Sequence, residues 1–150
     1  MRETIISVRS LSKTFPDRAT SGNISVLDDI NIDVRGGEFI ALLGPSGCGK
    51  STLLNIIAGF EKPTAGGVYH EDVLISKPDP RRTVVFQDYA LFPWMTIKNN
   101  IEFGLKARGT AKPERERIAL EYIDMVNLSG HELKYPHEVS GGMKQRAAIA

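Results

Sequence analysis

The feature that most constrains the fold of this sequence is the glycine-rich octapeptide at residues 44–51, Gly-Pro-Ser-Gly-Cys-Gly-Lys-Ser. An unbroken apolar run, residues 39–43, stands directly before it, and residues 50–58 then carry apolar side chains on a wide helical side. Continuous apolar runs of this length are typical of strands that are covered on both faces. Gly59 suits the end of the helix, where a left-handed conformation is needed. The order strand, glycine-rich turn, helix predicts an α/β fold.

The octapeptide matches the pattern G-x-x-x-x-G-K-[ST] in the context that this phosphate-binding motif requires. Its glycines let backbone N–H groups approach phosphate oxygens, and the helix N-terminus adds positive potential. Lys50 can reach the β- and γ-phosphates, and the Ser51 hydroxyl can ligate Mg²⁺. A chance glycine-rich turn is the alternative, and the flanking strand and helix argue against it. We therefore predict that ATP or a similar nucleotide, with Mg²⁺, is bound by Gly44, Pro45, Ser46, Gly47, Cys48, Gly49, Lys50, Ser51 and Thr52.

The remaining patterns predict strands in the first half and helices in the second. Apolar residues alternate with polar ones at residues 6–8 and 30–34, and a short hairpin is expected across Glu71 and Asp72. Residues 83–86 form another short apolar run. Helices are expected at 96–106, from Pro113 to Val126, and from Met143 to Ala150. We expect residues 1–89 to hold the α/β core portion with a β subdomain, and residues 90–150 to form a helical subdomain.

Composition narrows the classes of protein that this chain can represent. Lys and Arg total 19 against 18 Asp and Glu, which gives no electrostatic case for nucleic-acid binding. No apolar run approaches the roughly 20 residues of a membrane span, and the N-terminus shows no signal-peptide pattern. A single cysteine, Cys48, permits no internal disulfide, and His70, His131 and His137 show no metal-ligand spacing with it. These features predict a cytoplasmic protein.

Two later segments resemble motifs of the ATP-binding cassette (ABC) family. Val85-Phe86-Gln87 resembles the Q-loop, and residues 139–146, Val-Ser-Gly-Gly-Met-Lys-Gln-Arg, resemble the ABC signature. In that family, residues matching Ser140, Gly141 and Gly142 grip the γ-phosphate of an ATP held by the partner subunit. The residue matching Gln87 contacts Mg²⁺ or orients the attacking water. Ser140 as a simple helix cap is the competing interpretation.

The resemblance covers nearly all of the chain and implies an α/β fold of the P-loop NTPase type. Its core would be incomplete, with an antiparallel β portion and an inserted helical subdomain that ends inside the signature helix. The core strands at 39–43 and 83–86 would then not be neighbours in the sheet. An Asp-Glu pair after an apolar strand, the family's source of the catalytic Glu, is not found in the 150 residues. We therefore expect a domain cut within the signature helix, able to hold ATP but hardly to hydrolyse it.

Five further residues each allow two interpretations, which come from the resemblance for all of them except Cys48. Phe15 stands where the family carries an aromatic that stacks on adenine, and simple core packing is the alternative. Cys48 lies among loop amides that favour a thiolate, so it is either redox-sensitive or merely a small residue that the loop tolerates. Phe92, Pro93 and Trp94 fall in the region that lines a groove for a permease helix, and the alternative places Trp94 in the core.

The resemblance implies the ATP-hydrolysing motor subunit of a bacterial ABC importer. Two such subunits would form a head-to-tail dimer beneath two membrane permease subunits, peripheral on the inner face of the cytoplasmic membrane, with a substrate-binding protein acting indirectly. Residues 135–138, Met143 and residues 92–94 resemble the nitrate, sulfonate and taurine importer branch. One alternative is a non-transport ABC ATPase acting on ribosomes or DNA. The other is a nucleotide-binding fragment without turnover.

Overall fold

The structure, a computed structural model, describes residues 3–17 and 21–150. The polar, turn-rich residues 17–23 predict a surface loop, of which residues 18–20 lie outside the described residues. The chain forms two compact units, Met1–Val84 and Val85–Ala150. The elements in chain order are β1 (Thr4–Pro16), β2 (Asn23–Arg35), α1 (Lys50–Ala58), β3 (Ala65–His70), β4 (Val73–Leu74), α2 (Ile97–Ala107), α3 (Lys112–Met125), a 3₁₀ helix (Pro136–Glu138) and α4 (Gly141–Ile149).

The first unit is built on a four-stranded antiparallel sheet in the order β2-β1-β3-β4. The long β1–β2 pair contains bulges at Ser10 and Asp29, whose φ angles are 44° and 43°. Side chains hold the amides that the bulges free from the ladder. The Ser10 N–H donates to Asn31 Oδ1 at 2.8 Å, and the Asp29 N–H donates to Ser12 Oγ at 3.1 Å. The expected antiparallel β portion is thereby confirmed.

The short hairpin between β3 and β4 also confirms its prediction. Tyr69 pairs with Leu74 and His70 with Val73, so the loop has two residues. These residues, Glu71 and Asp72, have φ angles of 50° and 61°. Two positive φ angles in a two-residue loop are the geometry whose twist matches that of the flanking strands.

Helix α1 has the bounds predicted from the sequence, Lys50–Ala58, and ends at Gly59 with φ 87°. Its buried face packs against the sheet. The shared core contains Val8, Leu11, Leu27, Leu53, Ile56 and Val68. Burying such side chains stabilises a domain by about 1.5–3 kcal/mol each, so this cluster fixes the position of α1 against β1 and β2.

The strands predicted at 39–43 and 83–86 are not present, and this prediction was wrong. Neither segment belongs to a ladder in the described chain, so the expectation that two core strands there do not pair with each other is not tested. Phe39 and Leu43 are 94% and 91% exposed, while Leu42 packs against the first core. An apolar run favours the extended conformation, but a strand also requires a partner edge.

The second unit is helical, as predicted for the later part of the chain. Helix α2 begins after Thr96, whose side chain accepts a hydrogen bond from the Asn99 N–H, and α3 carries Pro113 in its first turn. Both predicted ranges agree with the observed helices to within one or two residues. The core of this unit contains Ile97, Ile123, Leu128, Val139 and Ala147, so α4 is held by its Ala147 face.

Candidate functional site

A cavity of about 380 Å³ opens at the start of α1, beside the glycine-rich loop. Its lining residues are Val26, Ser46, Gly47, Gly49, Lys50, Ser51 and Thr52. Six of these were predicted from the sequence motif, and Val26 was missed. Val26 is one of two valines on β2, so its position beside the loop follows only from the packing of α1 on the sheet.

Two glycines shape the loop for different reasons. Gly47 and Gly49 have φ angles of 81° and 93°, in the left-handed region that glycine adopts without strain. A Cβ at position 47 would have no neighbour within 4 Å, whereas one at position 49 would lie 2.8 Å from the Val26 carbonyl oxygen. Gly47 is thus required by its backbone angle alone, and Gly49 also by close approach to β2.

The first turn of α1 presents backbone donors that no side chain of its own caps. Gly49 is the N-cap residue and has no side chain to offer, and the first turn contains no acidic residue. The opening N–H groups of a helix have no intrahelical acceptors, and the helix dipole makes that end positive. Amides at Lys50, Ser51 and Thr52 therefore form a site suited to an anion such as phosphate.

The Lys50 ammonium lies over the same loop. Its Nζ donates to the carbonyl oxygens of Gly44 and Pro45 at 2.8 and 2.7 Å, and it lies 3.4 Å from Cys48 Sγ. An ammonium has three donors, and sulfur is the weakest of these acceptors. Two bonds to carbonyl oxygens fix the charge in place, and the third, to the Cys48 sulfur, is the one that a stronger acceptor such as a phosphate oxygen would replace.

The other predicted binding residues of the first unit do not line this cavity; they are Phe15, Gly44, Pro45 and Cys48. Cys48 is exposed, and its thiol contacts the Lys50 ammonium. Phe15 is half-buried on β1, with Lys13 Nζ 4.7 Å from the centre of its ring. Phe15 is not among the lining residues of the cavity, so its proposed contact with adenine stays a prediction.

The second candidate anion site is the start of α4, in the helical unit. Ser140 is its N-cap residue, and the Met143 N–H donates to Ser140 Oγ at 3.4 Å. The capping interpretation of Ser140 is therefore confirmed, while a role in phosphate binding remains a prediction. Gly141 and Gly142 form the exposed first turn. The nearest neighbour of a Cβ at position 141 would be the Tyr89 hydroxyl, at 2.9 Å.

Aromatic residues cluster near the start of the helical unit. The Phe92 ring lies 5.6 Å from Trp94 and 4.6 Å from Phe103 between centroids. Trp94 is 70% exposed, so the alternative that placed it in the core is wrong. Gln87 is also exposed, on the irregular segment before this cluster.

A cavity of about 420 Å³ in the same unit is lined by Met95, Asn99, Glu102, Phe103, Lys106, Ala107 and Arg115. Its buried Glu102 forms ion pairs with Lys98 and Arg115 at 3.5 and 3.0 Å. Lys98 also donates to Glu116 at 3.1 Å, which raises the pKa of Lys98 and lowers that of Glu116. The Arg115–Glu102 and Lys98–Glu116 pairs join α2 to α3.

The part of the chain that the structure describes contains neither a candidate metal-binding cluster nor a candidate membrane-spanning helix. Within residues 3–17 and 21–150, no group of three or more His, Cys, Asp or Glu side chains is placed to hold a metal ion. His137 stacks on Tyr135 at 5.8 Å, and His70 and His131 are partly buried. None of the helices in these ranges is long and apolar enough to cross a membrane.

Comparison with known proteins agrees with the motifs. The sequence profile of the ABC transporter family matches residues 27–150. An ABC transporter ATP-binding protein of Methanocaldococcus jannaschii is 46% identical over 145 residues, which are 97% of this chain and 54% of that protein. A putative ATP-binding protein of Brucella abortus is 46% identical over 129 residues, which are 86% of this chain and 50% of that protein. The chain thus spans about half the length of these curated relatives.

Solved structures give the same result. A dimeric ATP-binding cassette in a post-hydrolysis state, bound to ADP and Pi, superimposes with a TM-score of 0.81 at 32% identity. A dimeric bacterial ABC transporter cassette gives a TM-score of 0.80 at 32% identity. In each case the match covers 97% of this chain and 67% of the other. The family profile, the relatives and the P-loop-type α/β architecture agree, and this chain belongs to the ABC transporter family.

Proposed function

We propose that this chain is the nucleotide-binding part of the ATP-driven motor of an ABC importer. The observation that carries the proposal is the start of α1, where uncapped amides face the same cavity as Lys50. A fixed ammonium beside a helix N-terminus recognises the phosphates of ATP by charge and by direct hydrogen bonds. The family relationship supports ATP as the nucleotide.

The loop residues divide the work of holding Mg²⁺-ATP. Backbone amides of Gly47 to Ser51 surround the phosphates, and the Lys50 ammonium offsets part of the charge that they carry. Ser51 lines the cavity, and its hydroxyl would ligate Mg²⁺. From the family resemblance, Gln87 would contact Mg²⁺ or orient the attacking water, and Phe15 would stack on the adenine base.

A second copy of the subunit supplies the other half of each ATP site. The exposed N-terminal turn of α4, with Ser140, Gly141 and Gly142, meets the γ-phosphate of the ATP bound by the partner. The dimeric state of the two solved cassettes supports this arrangement. Binding closes the dimer around two ATP molecules, and hydrolysis and release reopen it.

The exposed cluster of Phe92, Pro93 and Trp94 contacts a membrane permease subunit. Aromatic anchors beside a groove are a common design for such contacts, and Trp94 is 70% exposed. The motor then lies peripherally on the inner face of the cytoplasmic membrane. A substrate-binding protein is coupled only through the permease, and residues 135–138 with Met143 favour the nitrate, sulfonate and taurine branch.

A nucleotide-binding role without turnover is the second candidate, and one observation favours it for this chain alone. No acidic side chain lines the loop cavity among the described residues. Hydrolysis needs a general base within reach of the attacking water. We therefore expect residues 1–150 to bind ATP without hydrolysing it.

Sedimentation velocity with Mg²⁺-ATP or Mg²⁺-ADP, combined with a phosphate-release assay, tests these proposals. We expect ATP to promote a dimer and ADP not to, because only ATP carries the γ-phosphate that α4 recognises. Ser140→Ala should weaken the ATP-dependent dimer without changing ATP binding to the monomer. ATP binding without any change in sedimentation would contradict the proposed dimer, and phosphate release by this chain would contradict the second candidate.

A further inference from the structure

An unusual backbone turn follows Gln87. Tyr89 and Ala90 have φ angles of 65° and 47°, so two consecutive non-glycine residues occupy the left-handed region. The Tyr89 N–H donates to the Phe86 carbonyl at 3.2 Å and closes the turn. Bulky residues adopt this conformation only where the surrounding structure enforces it, and such strain is concentrated at functional positions.

The turn delivers the Tyr89 side chain to the start of α4. The Tyr89 hydroxyl oxygen lies 2.9 Å, and its Cζ 3.8 Å, from the point where a Cβ of residue 141 would stand. A contact of 2.9 Å is closer than Cβ atoms tolerate, whereas 3.8 Å is ordinary van der Waals contact. A Cβ at Gly142 would have no neighbour within 4 Å. A Cβ at position 141 would therefore force the Tyr89 hydroxyl, the far end of a side chain, to move, whereas a Cβ at position 142 would displace nothing in the described chain.

We propose that Tyr89 is a positioning residue, which fixes the first turn of α4 against the segment 87–90. This inference rests on the proposed function, in which Gln87 serves one ATP site and the α4 N-terminus serves the other. Both lie in the compact unit Val85–Ala150, so the contact requires no particular arrangement of the two units. A displacement of the segment at Gln87 is transmitted through the Tyr89 ring to Gly141.

The cap and the ring constrain the turn from two directions. Ser140 Oγ holds the Met143 amide from within the helix, and Tyr89 abuts Gly141 from outside it. With both contacts, the amides of the first turn keep one orientation before the partner arrives. A pre-ordered site binds its ligand more tightly because less conformational freedom is lost.

A double-mutant cycle at Tyr89 and Gly141 tests the contact. The variants are Gly141→Ala, Tyr89→Phe and the double variant, with Gly142→Ala and Tyr122→Phe as matched controls. Tyr122 is an exposed tyrosine on α3 of the same unit. The readouts are the thermal midpoint, hydrogen exchange of the Met143 amide and the dissociation constant of the ATP-dependent dimer.

We expect Gly141→Ala to lower the thermal midpoint and to speed hydrogen exchange of the Met143 amide. It should also raise the dissociation constant of the ATP-dependent dimer roughly tenfold. In the Tyr89→Phe background, Gly141→Ala should change the dissociation constant of the dimer by less than about twofold, because only Cζ of residue 89 then remains near the new methyl group. Gly142→Ala and Tyr122→Phe should not lower the midpoint or speed exchange at Met143.

Equal losses from Gly141→Ala in both backgrounds would overturn the proposal. An unchanged rate of hydrogen exchange at the Met143 amide in both Tyr89→Phe and Gly141→Ala would also overturn it. If the parent chain binds no ATP, the proposed function fails, but the midpoint and the exchange rate still decide whether Tyr89 constrains α4. If Gly141→Ala does not fold, recovery of folding by the added Tyr89→Phe supports the contact, and no recovery overturns it.

Discussion

The first turns of α1 and α4 are both candidate phosphate sites, yet they are built differently. Helix α1 follows Gly49, a left-handed residue with φ 93° and no capping side chain. Helix α4 follows Ser140, an extended residue whose hydroxyl accepts the Met143 amide. Thus α1 leaves its first amides to an external acceptor, whereas α4 satisfies one of them internally.

This difference indicates a division of labour between the two sites. At α1 the chain supplies backbone donors and a fixed cation, Lys50, so it can hold phosphates without a partner. At α4 no comparable ammonium bond to the turn is found among the described residues, and the turn is held by Ser140 and Tyr89. The first site suits primary binding of a nucleotide, and the second suits recognition of a phosphate that is already bound elsewhere.

The largest effect expected is that of Lys50→Ala on nucleotide binding. Its removal takes away the charge-assisted contacts at α1 and should weaken ATP binding by about 3–4 kcal/mol, at least roughly 100-fold. Calorimetric titration measures it, with Lys62→Ala, an exposed lysine of the same unit, as the control. Equal affinity of Lys50→Ala and the parent for ATP would contradict the proposed difference between the first turns of α1 and α4.

The glycines of the α1 loop should differ in their tolerance of a methyl group. Gly49→Ala combines a left-handed φ with a contact to the Val26 carbonyl and should destabilise the first unit by about 2–3 kcal/mol. Gly47→Ala has only the unfavourable φ and should cost about 1 kcal/mol. Urea denaturation followed by circular dichroism measures both. A larger loss for Gly47→Ala would contradict this account of the loop.

Loss of the Ser140 side-chain cap should lower the stability of the helical unit that contains α4 and leave the first unit unchanged. Ser140→Ala removes the acceptor of the Met143 amide and should lower the stability of the helical unit by about 1 kcal/mol. Ser46→Ala, at the exposed loop before α1, should change stability by less than about 0.5 kcal/mol. The fluorescence of Trp94, the single tryptophan, reports unfolding of the helical unit, and hydrogen exchange of the α1 amides reports unfolding of the first unit. Equal losses would show that both helices depend on serine caps.

The smallest effect expected is the pH dependence of the unit that carries α4. The hydrogen bond from Lys98 lowers the pKa of Glu116 below its usual 4.5. The stabilisation is therefore complete above about pH 4.5 and is lost as the pH falls through the lowered value. Lys98→Met should make the acid limb of the Trp94 unfolding curve shallower. An unchanged limb would show that the pair contributes nothing to this unit.

Local signals predicted the helices well. The bounds of α1 follow from the glycine-rich loop before it and Gly59 after it, and Thr96 and Pro113 mark the starts of α2 and α3. In each case the deciding residue lies within the helix or next to it. These helix boundaries can therefore be predicted from the residues within and next to each helix.

The non-local features could not be predicted in the same way. Residues 39–43 and 83–86 have the composition of buried strands, but composition does not supply a pairing edge. The bulges at Ser10 and Asp29 depend on side chains of the opposite strand. At the candidate site, Val26 and Tyr89 are brought to the loop and to α4 by tertiary packing, which the motif spacing does not report.

The central claim, that the uncapped start of α1 holds the phosphates of ATP, is tested most directly by a nuclear magnetic resonance titration of this chain with Mg²⁺-ATP. We predict that backbone amide shifts concentrate at Gly47, Gly49, Lys50, Ser51 and Thr52, and that the amides of Gly141 and Gly142 shift only when a dimer forms. Saturable binding with no shift in the α1 loop, or a titration that moves α4 amides in the monomer and leaves those of α1 unchanged, would contradict the account.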